Sequence, residues 1–137
     1  MIVDTSALVA IATGEWDWES LLAAISTSPT VIPAPALTEL ELVLARRGPI
    51  ALAAGTGLVD RMMAKGTSVV SFDYAHAKIT VTARELYGKG NGRGGLLNFG
   101  DLMVYAVAKS RGEPILCTGR DFASTDLEIH PASRLSP

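Results

Sequence analysis

Short apolar runs without polar alternation recur along the chain, each followed by a segment whose apolar positions repeat at helical spacing. Met1, Ile2 and Val3 form the first run, as in a strand buried on both faces of a parallel sheet. Asp4 ends it. Thr5 and Ser6 suit a helix start, and Ala7 to Ile11 continue as an apolar helix. Glu15 to Ser28 reads as a second helix carrying Leu21, Leu22 and Ile25, closed by Pro29. Trp16 and Trp18 lie at its start, where core anchoring competes with a partner-binding role. Thr30 to Ile32 is a second strand, and Pro35 opens a helix to Arg47, because its missing N–H costs nothing at the first helical position. Gly48-Pro49 breaks that helix, and Ile50 to Lys65 forms the next, with Met62 and Met63 as core filler. Ser68 to Ser71 is a third strand and Ala75 to Tyr87 a further helix. Residues 88–95, GKGNGRGG, are too glycine-rich for either element and read as a flexible loop. Asn98 to Arg111 is helix, Pro114 to Thr118 a fourth strand, and Leu127 to His130 a last edge strand. The alternation predicts an α/β fold: a three-layer α/β/α sandwich around a central, mostly parallel sheet of four or five strands.

Composition narrows the class. A chain of 137 residues, 48% hydrophobic, is expected to form one domain with one core. The start lacks the basic and apolar regions of a secretory signal, and no apolar run is long enough to span a bilayer, so no membrane partner is expected. Cys117, the single cysteine, sits in an apolar run and reads as a buried free thiol, in keeping with a reducing cytoplasm. The net charge of -2 argues against holding nucleic acid by bulk positive charge. A polyanion would have to be held locally, or through a metal.

Four acids occupy comparable places: Asp4 after the first strand, Glu39 in the helix after the second, Asp101 in the first turn of the late helix, and Asp121 beyond the fourth strand. Each alone has a structural reading. Asp4 can cap its helix, Asn98-Phe99-Gly100-Asp101 can be a capping box, and Asp121 can start a turn. Together they would converge on the crevice outside the strand ends of a doubly wound sheet. Two carboxylates about 5 Å apart repel by roughly 3 kcal/mol at an effective dielectric near 20. Such a cluster calls for a cation, and oxygen-only ligands suit Mg²⁺ or Mn²⁺ better than zinc. His76 and His130 are isolated. Carboxylate-held dications support phosphodiester hydrolysis by lowering the pKa of water and neutralising phosphoryl charge.

The segments MIVDTSALVAI, PALTELELVLARR, YGKGNGRGGLLNFGDLMVYAVAK and PILCTGRDFASTD resemble, in order, the landmarks of PIN-domain ribonucleases, and among them the VapC toxins of type II toxin-antitoxin pairs. The resemblance spans nearly the whole chain and implies a PIN-like fold and a Mg²⁺-dependent endoribonuclease. It implies Asp4 and Asp101 as principal metal ligands, Glu39 and Asp121 as further catalytic acids, and Asp126 as a supporting acid. Ser6 matches a hydroxyl that positions the first aspartate or its water. The resemblance also implies a cognate antitoxin covering the crevice, a resting homodimer and an RNA substrate.

Glu39 and Glu41 point to different sides of one helix, since two residues turn it about 200°. Glu39 is the expected site acid, and Glu41 is expected to complete a capping box with Thr38. Lys89, Arg93 and Arg120 are the candidate RNA-binding cations, whereas Arg46, Arg47, Lys109 and Arg111 receive no role. The alternative reading is a non-catalytic PIN-like module that binds RNA or protein. A phospho-aspartate domain using Asp73 would need an acidic pair after the first strand, which Thr5-Ser6 does not supply; the same gap weighs against an Asp-x-Asp phosphatase.

Overall fold

The structure is a computed structural model describing residues 1–135. Four short parallel strands, β1 (Ile2–Val3), β2 (Val31–Pro33), β3 (Ser68–Val70) and β4 (Ile115–Leu116), form one sheet in the order β3-β2-β1-β4. Flanking it are α1 (Thr5–Thr13), α2 (Trp18–Thr27), α3 (Ala34–Arg47), α4 (Pro49–Ala64), α5 (Tyr74–Tyr87) and α6 (Phe99–Arg111). This is the expected parallel α/β architecture. The chain steps outward from β1 through β2 to β3, then returns to place β4 on β1's other side. That reversal opens a crevice outside the carboxyl ends of β1 and β4, the usual ligand position in open α/β sheets.

Apolar burial explains the centre. Ile2, Val3, Ile32, Ile115, Leu116 and Cys117 are fully buried, matching strands covered on both faces. Helix α1 buries Ala7, Leu8, Val9, Ala10 and Ile11 in succession, so it is an inner helix rather than an amphipathic surface one. It ends at Gly14 in the left-handed conformation (φ 65°), whose N–H returns to the last turn. Cys117 is buried and unpaired, and burial, with the nearby Asp4 charge, pushes its thiol up to about 12.

Several local expectations change. Helix α2 starts at Trp18, not Glu15, because Trp16 and Asp17 form a turn, closed by the Trp18 N–H on the Glu15 carbonyl at 3.0 Å, in which Asp17 adopts a left-handed backbone (φ 61°). The tryptophans divide: Trp18 packs against the core, whereas Trp16 is 78% exposed. The expected edge strand at Leu127 to His130 is reduced to one parallel bridge, Ile115 to Ile129. Glu41 cannot complete a Thr38 capping box, because α3 already begins at Ala34 and both residues lie inside it. Asp73 caps α5 in a reciprocal box with His76. Among the described residues, no helix is long and apolar enough to cross a membrane.

Candidate active site

Asp4 leaves β1 with extended backbone (φ -78°, ψ 155°) and caps α1. Its Oδ2 accepts the Ser6 N–H at 2.9 Å and the Ser6 hydroxyl. Ser6 Oγ in turn accepts the N–H of Thr118, just beyond β4, at 2.9 Å. One serine therefore ties the first carboxylate to the neighbouring strand. Asp101 is held from a different direction: Asn98 caps α6, the Asp101 N–H donates to Asn98 Oδ1, and the Asn98 N–H donates to Asp101 Oδ2, both at 2.9 Å. The capping and site readings of these aspartates are thus compatible, since the cap fixes the carboxylate's direction.

Glu39 reaches the same place from the second turn of α3. Its Oε1 lies 2.8 Å from where a Cβ on Gly100 would stand, so the glycine next to Asp101 makes room for the Glu39 carboxylate. Asp121 follows β4. All four acids line one cavity of about 290 Å³, together with Thr5, Ser6, Val9, Glu15, Val43, Arg47, Asn98 and Thr118.

Its electrostatics are unbalanced. Asp4 and Asp101 are only 4% and 8% exposed. Burial, opposed by the Ser6 hydrogen bonds and reinforced by Glu39, raises Asp4 to about 6. Burial, opposed by the Asn98 N–H and reinforced by Asp4, Asp121 and Glu39, raises Asp101 to about 7. The one cation lining the cavity among the described residues, Arg47, is engaged by Glu15 at 2.9 Å.

The donor set fits a hard dication. It is all oxygen, its buried acids lack a cationic partner, and no hydrogen bond among the described residues reaches Asp101 Oδ1. The acids share a cavity rather than a closed knot, however: among the described residues, no three His, Cys, Asp or Glu side chains are gathered tightly enough to hold one ion. Mutual repulsion and the local hydrogen bonds of Asp4 and Asp101 account for the spread.

Other expected residues lie elsewhere. Asp126 accepts the Tyr105 hydroxyl at 2.7 Å and pairs with Lys109 at 2.5 Å, beside a separate cavity. It is held away from the four acids, because two partners at the far end of α6 satisfy it. Lys89 and Arg93 are exposed in the glycine-rich loop and Arg120 donates to the Leu135 carbonyl at 3.0 Å; none lines the acidic cavity. Conversely, Arg47 does line it although its sequence assigned it no role. Glu39, Val43 and Arg47 stand at i, i+4 and i+8, one helical face, and that spacing was the available signal. Glu41 lies on another face, beside Leu44 and Val59.

A parallel α/β sheet that gathers carboxylates at its switch point defines the class: an acidic-site PIN-type fold. Residues 1–128 match the PIN domain family, and the chain belongs to that family. Ribonuclease VapC36 of Mycobacterium tuberculosis is 45% identical over 134 residues, covering 94% of this chain and 92% of its own. Ribonuclease VapC42 of the same organism is 40% identical, covering 96% and 98%. Among solved structures, VapC20 of M. tuberculosis, described as a toxin cleaving the sarcin-ricin loop, superposes with a TM-score of 0.71 at 21% identity, covering 95% and 98%.

Proposed function

We propose that this chain is a divalent-metal-dependent endoribonuclease, the toxin of a type II toxin-antitoxin pair acting in the cytoplasm. Its curated relatives at 40–45% identity are named VapC ribonucleases over nearly the full chain, and the observation that carries the chemistry is the cavity lined by Asp4, Glu39, Asp101 and Asp121.

Asp4 and Asp101 are the proposed ligands of Mg²⁺, for which Mn²⁺ would substitute. When bound, the metal supplies Lewis acidity and charge neutralisation at the phosphate. The protein's part is positioning. Ser6 fixes Asp4 against β4, and the Asn98 cap fixes Asp101, so both carboxylates are oriented before substrate arrives. Glu39 makes no hydrogen bond among the described residues and lies against Gly100, leaving its carboxylate available to accept a proton from the attacking water. Asp121 adds negative charge beside Asp101, which strengthens the demand for a cation.

The antitoxin partner is supported by structural neighbours described as VapBC2 from Rickettsia felis and as a toxin-antitoxin complex from Klebsiella pneumoniae. A cleft of about 690 Å³ shares Glu39 with the acid cavity and is lined mainly by apolar groups, among them Leu42, Phe72, Phe99 and Met103. It offers such a partner an apolar seat next to the site. A homodimer remains part of the proposal.

The test is cleavage of RNA by the purified chain. Activity with Mg²⁺ or Mn²⁺, abolished by EDTA and by Asp101→Asn, is the expected result. RNA that binds tightly yet stays intact with either metal would replace the nuclease by a binding module.

A further inference from the structure

The acidic cavity poses a problem for a polyanionic substrate. Its walls carry carboxylates, its one cation among the described residues is occupied by Glu15, and Lys89, Arg93 and Arg120 do not line it. Coulombic attraction inside the cavity itself is therefore weak. Base stacking is the other general source of affinity for unpaired RNA, and it needs only an exposed, rigid aromatic face.

Trp16 meets that description. It follows Glu15, a lining residue, and is 78% exposed. It is also braced. The Arg134 guanidinium lies over its ring, 4.7 Å from the centroid, donates to the Trp16 carbonyl at 3.1 Å, and pairs with Asp17. Arg134 is itself anchored, because its N–H donates to the Cys117 carbonyl at 2.9 Å, one residue before the Thr118 that holds Ser6. The left-handed backbone of Asp17 is a conformation non-glycine residues seldom adopt, and it is kept by these contacts. A large apolar ring is thus fixed in water, one residue along the chain from a group that lines the site.

The surroundings distinguish the occupant. Phe99, also exposed, borders the apolar cleft with Leu42, Phe72 and Met103, a surface suited to protein. Trp16 instead has Glu15, Asp17 and Arg134 about it. A nucleobase, with a flat π face and polar edges, matches that setting better than an apolar peptide does.

We propose that Trp16, braced by Arg134, is a stacking platform that holds an unpaired base of the RNA substrate at the rim of the acidic cavity. This rests on the ribonuclease reading above. The deciding measurement is the affinity of a labelled single-stranded oligoribonucleotide for the Asp4→Asn chain in EDTA, with and without Trp16→Ala, while the unsubstituted chain is assayed for cleavage in Mg²⁺. Trp16→Ala is expected to weaken binding about tenfold, within the span known for loss of one stacked base. Trp16→Phe should restore most of it, and the dependence of affinity on salt should keep the same slope, since no phosphate contact is lost. Equal affinity for both chains, alongside cleavage by the unsubstituted one, would overturn the platform and leave the nuclease standing. So would a Trp16→Ala chain that binds RNA normally but loses self-association in light scattering, which would assign Trp16 to a protein interface. If the unsubstituted chain neither cuts nor binds RNA, the nuclease reading falls and the platform with it.

Discussion

Helix α6 borders two aspartate environments that differ in burial and in the presence of a cation. At its first turn Asp101 is buried among other acids and raised to about 7. About one and two turns later, Tyr105 and Lys109 grip Asp126, and the hydrogen bonds from Lys109 and Tyr105 hold it below the ordinary carboxylate range. Asp101, Tyr105 and Lys109 stand at i, i+4 and i+8, so one helical stripe presents a carboxylate at one end and the partners of a carboxylate at the other. A satisfied acid ties elements together. An unsatisfied one holds free energy in reserve for a ligand that can neutralise it.

The largest expected difference between the two is catalytic. Asp101→Asn keeps an oxygen to accept the Asn98 N–H but removes the charge, and Asp4→Asn does the same toward Ser6. Each should lower RNA cleavage by about 10³-fold or more, the scale of losing a principal electrostatic group, measured on a defined oligoribonucleotide in Mg²⁺. Neither should lower the melting temperature in EDTA, because the buried charge each removes is unfavourable there. Unfolding at lower temperature in both would make these acids structural, like Asp126.

Next in size is a separation of stability from activity at Gly100. A Cβ there would meet Glu39 Oε1 at 2.8 Å and Oε2 at 3.0 Å. Gly100 is the second residue of α6, where alanine gains at most the roughly 0.5–1 kcal/mol of a helix interior, whereas the Glu39 carboxylate must move aside. Gly100→Ala is therefore expected to melt no lower than the unsubstituted chain yet cut RNA about tenfold more slowly, less than the roughly 10²–10⁴-fold a general base contributes, because the carboxylate is displaced rather than removed. Glu41→Gln, on a different face of α3, should leave the rate unchanged.

The legibility of the site followed the same division. The strand-acid-helix opening at Asp4 and the Asn98 box at Asp101 rest on local periodicity and cap chemistry, which a sequence carries within a few residues, whereas the choice of Glu39 over Glu41 rested on the family resemblance. Glu15, Thr118 and Arg47 were missed because their place depends on a turn and on strand adjacency. That Asp126 lies outside the acidic cavity was hidden for a related reason: its partners, Tyr105 and Lys109, are 21 and 17 residues away. The short edge strand failed for lack of extended pairing, with one bridge at Ile129. Helix α2 lost its first turn because the Arg134 contacts with Trp16 and Asp17 hold that segment in a turn.

A third effect concerns pH. Asp4 and Asp101 have folded values raised above those of the open chain, so the folded state binds more protons and their contribution is present below about pH 4. It is lost as pH rises through about 6 for Asp4 and about 7 for Asp101. Asp126 has the opposite sign: its lowered value adds stability above the ordinary carboxylate range, lost as pH falls. In EDTA the melting temperature should therefore decline between pH 5 and pH 8 in the unsubstituted chain and decline less in Asp101→Asn. Millimolar Mg²⁺ should raise it by several degrees at pH 8 and much less at pH 5, because ligand binding to the folded state stabilises it and protons compete for the same oxygens. A Mg²⁺ effect equal at both pH values would mean that the ion binds away from these acids.

The smallest effect sharpens the other half of the contrast. Asp126→Ala leaves the Tyr105 hydroxyl without its acceptor and Lys109 without its partner. The Lys109 pair is solvent-exposed and should contribute little. The Tyr105 hydrogen bond involves a buried ring, only 4% exposed, and its loss should cost about 1 kcal/mol, a few degrees in melting temperature for a chain of this size. Cleavage should be unaffected, and a Tyr105→Phe, Asp126→Ala double variant should be no less stable than Asp126→Ala alone, since the hydroxyl has then lost its only partner among the described residues. A fall in cleavage comparable to that of Asp101→Asn would erase the distinction, and would mean that Asp126 reaches the reacting phosphate in the complex.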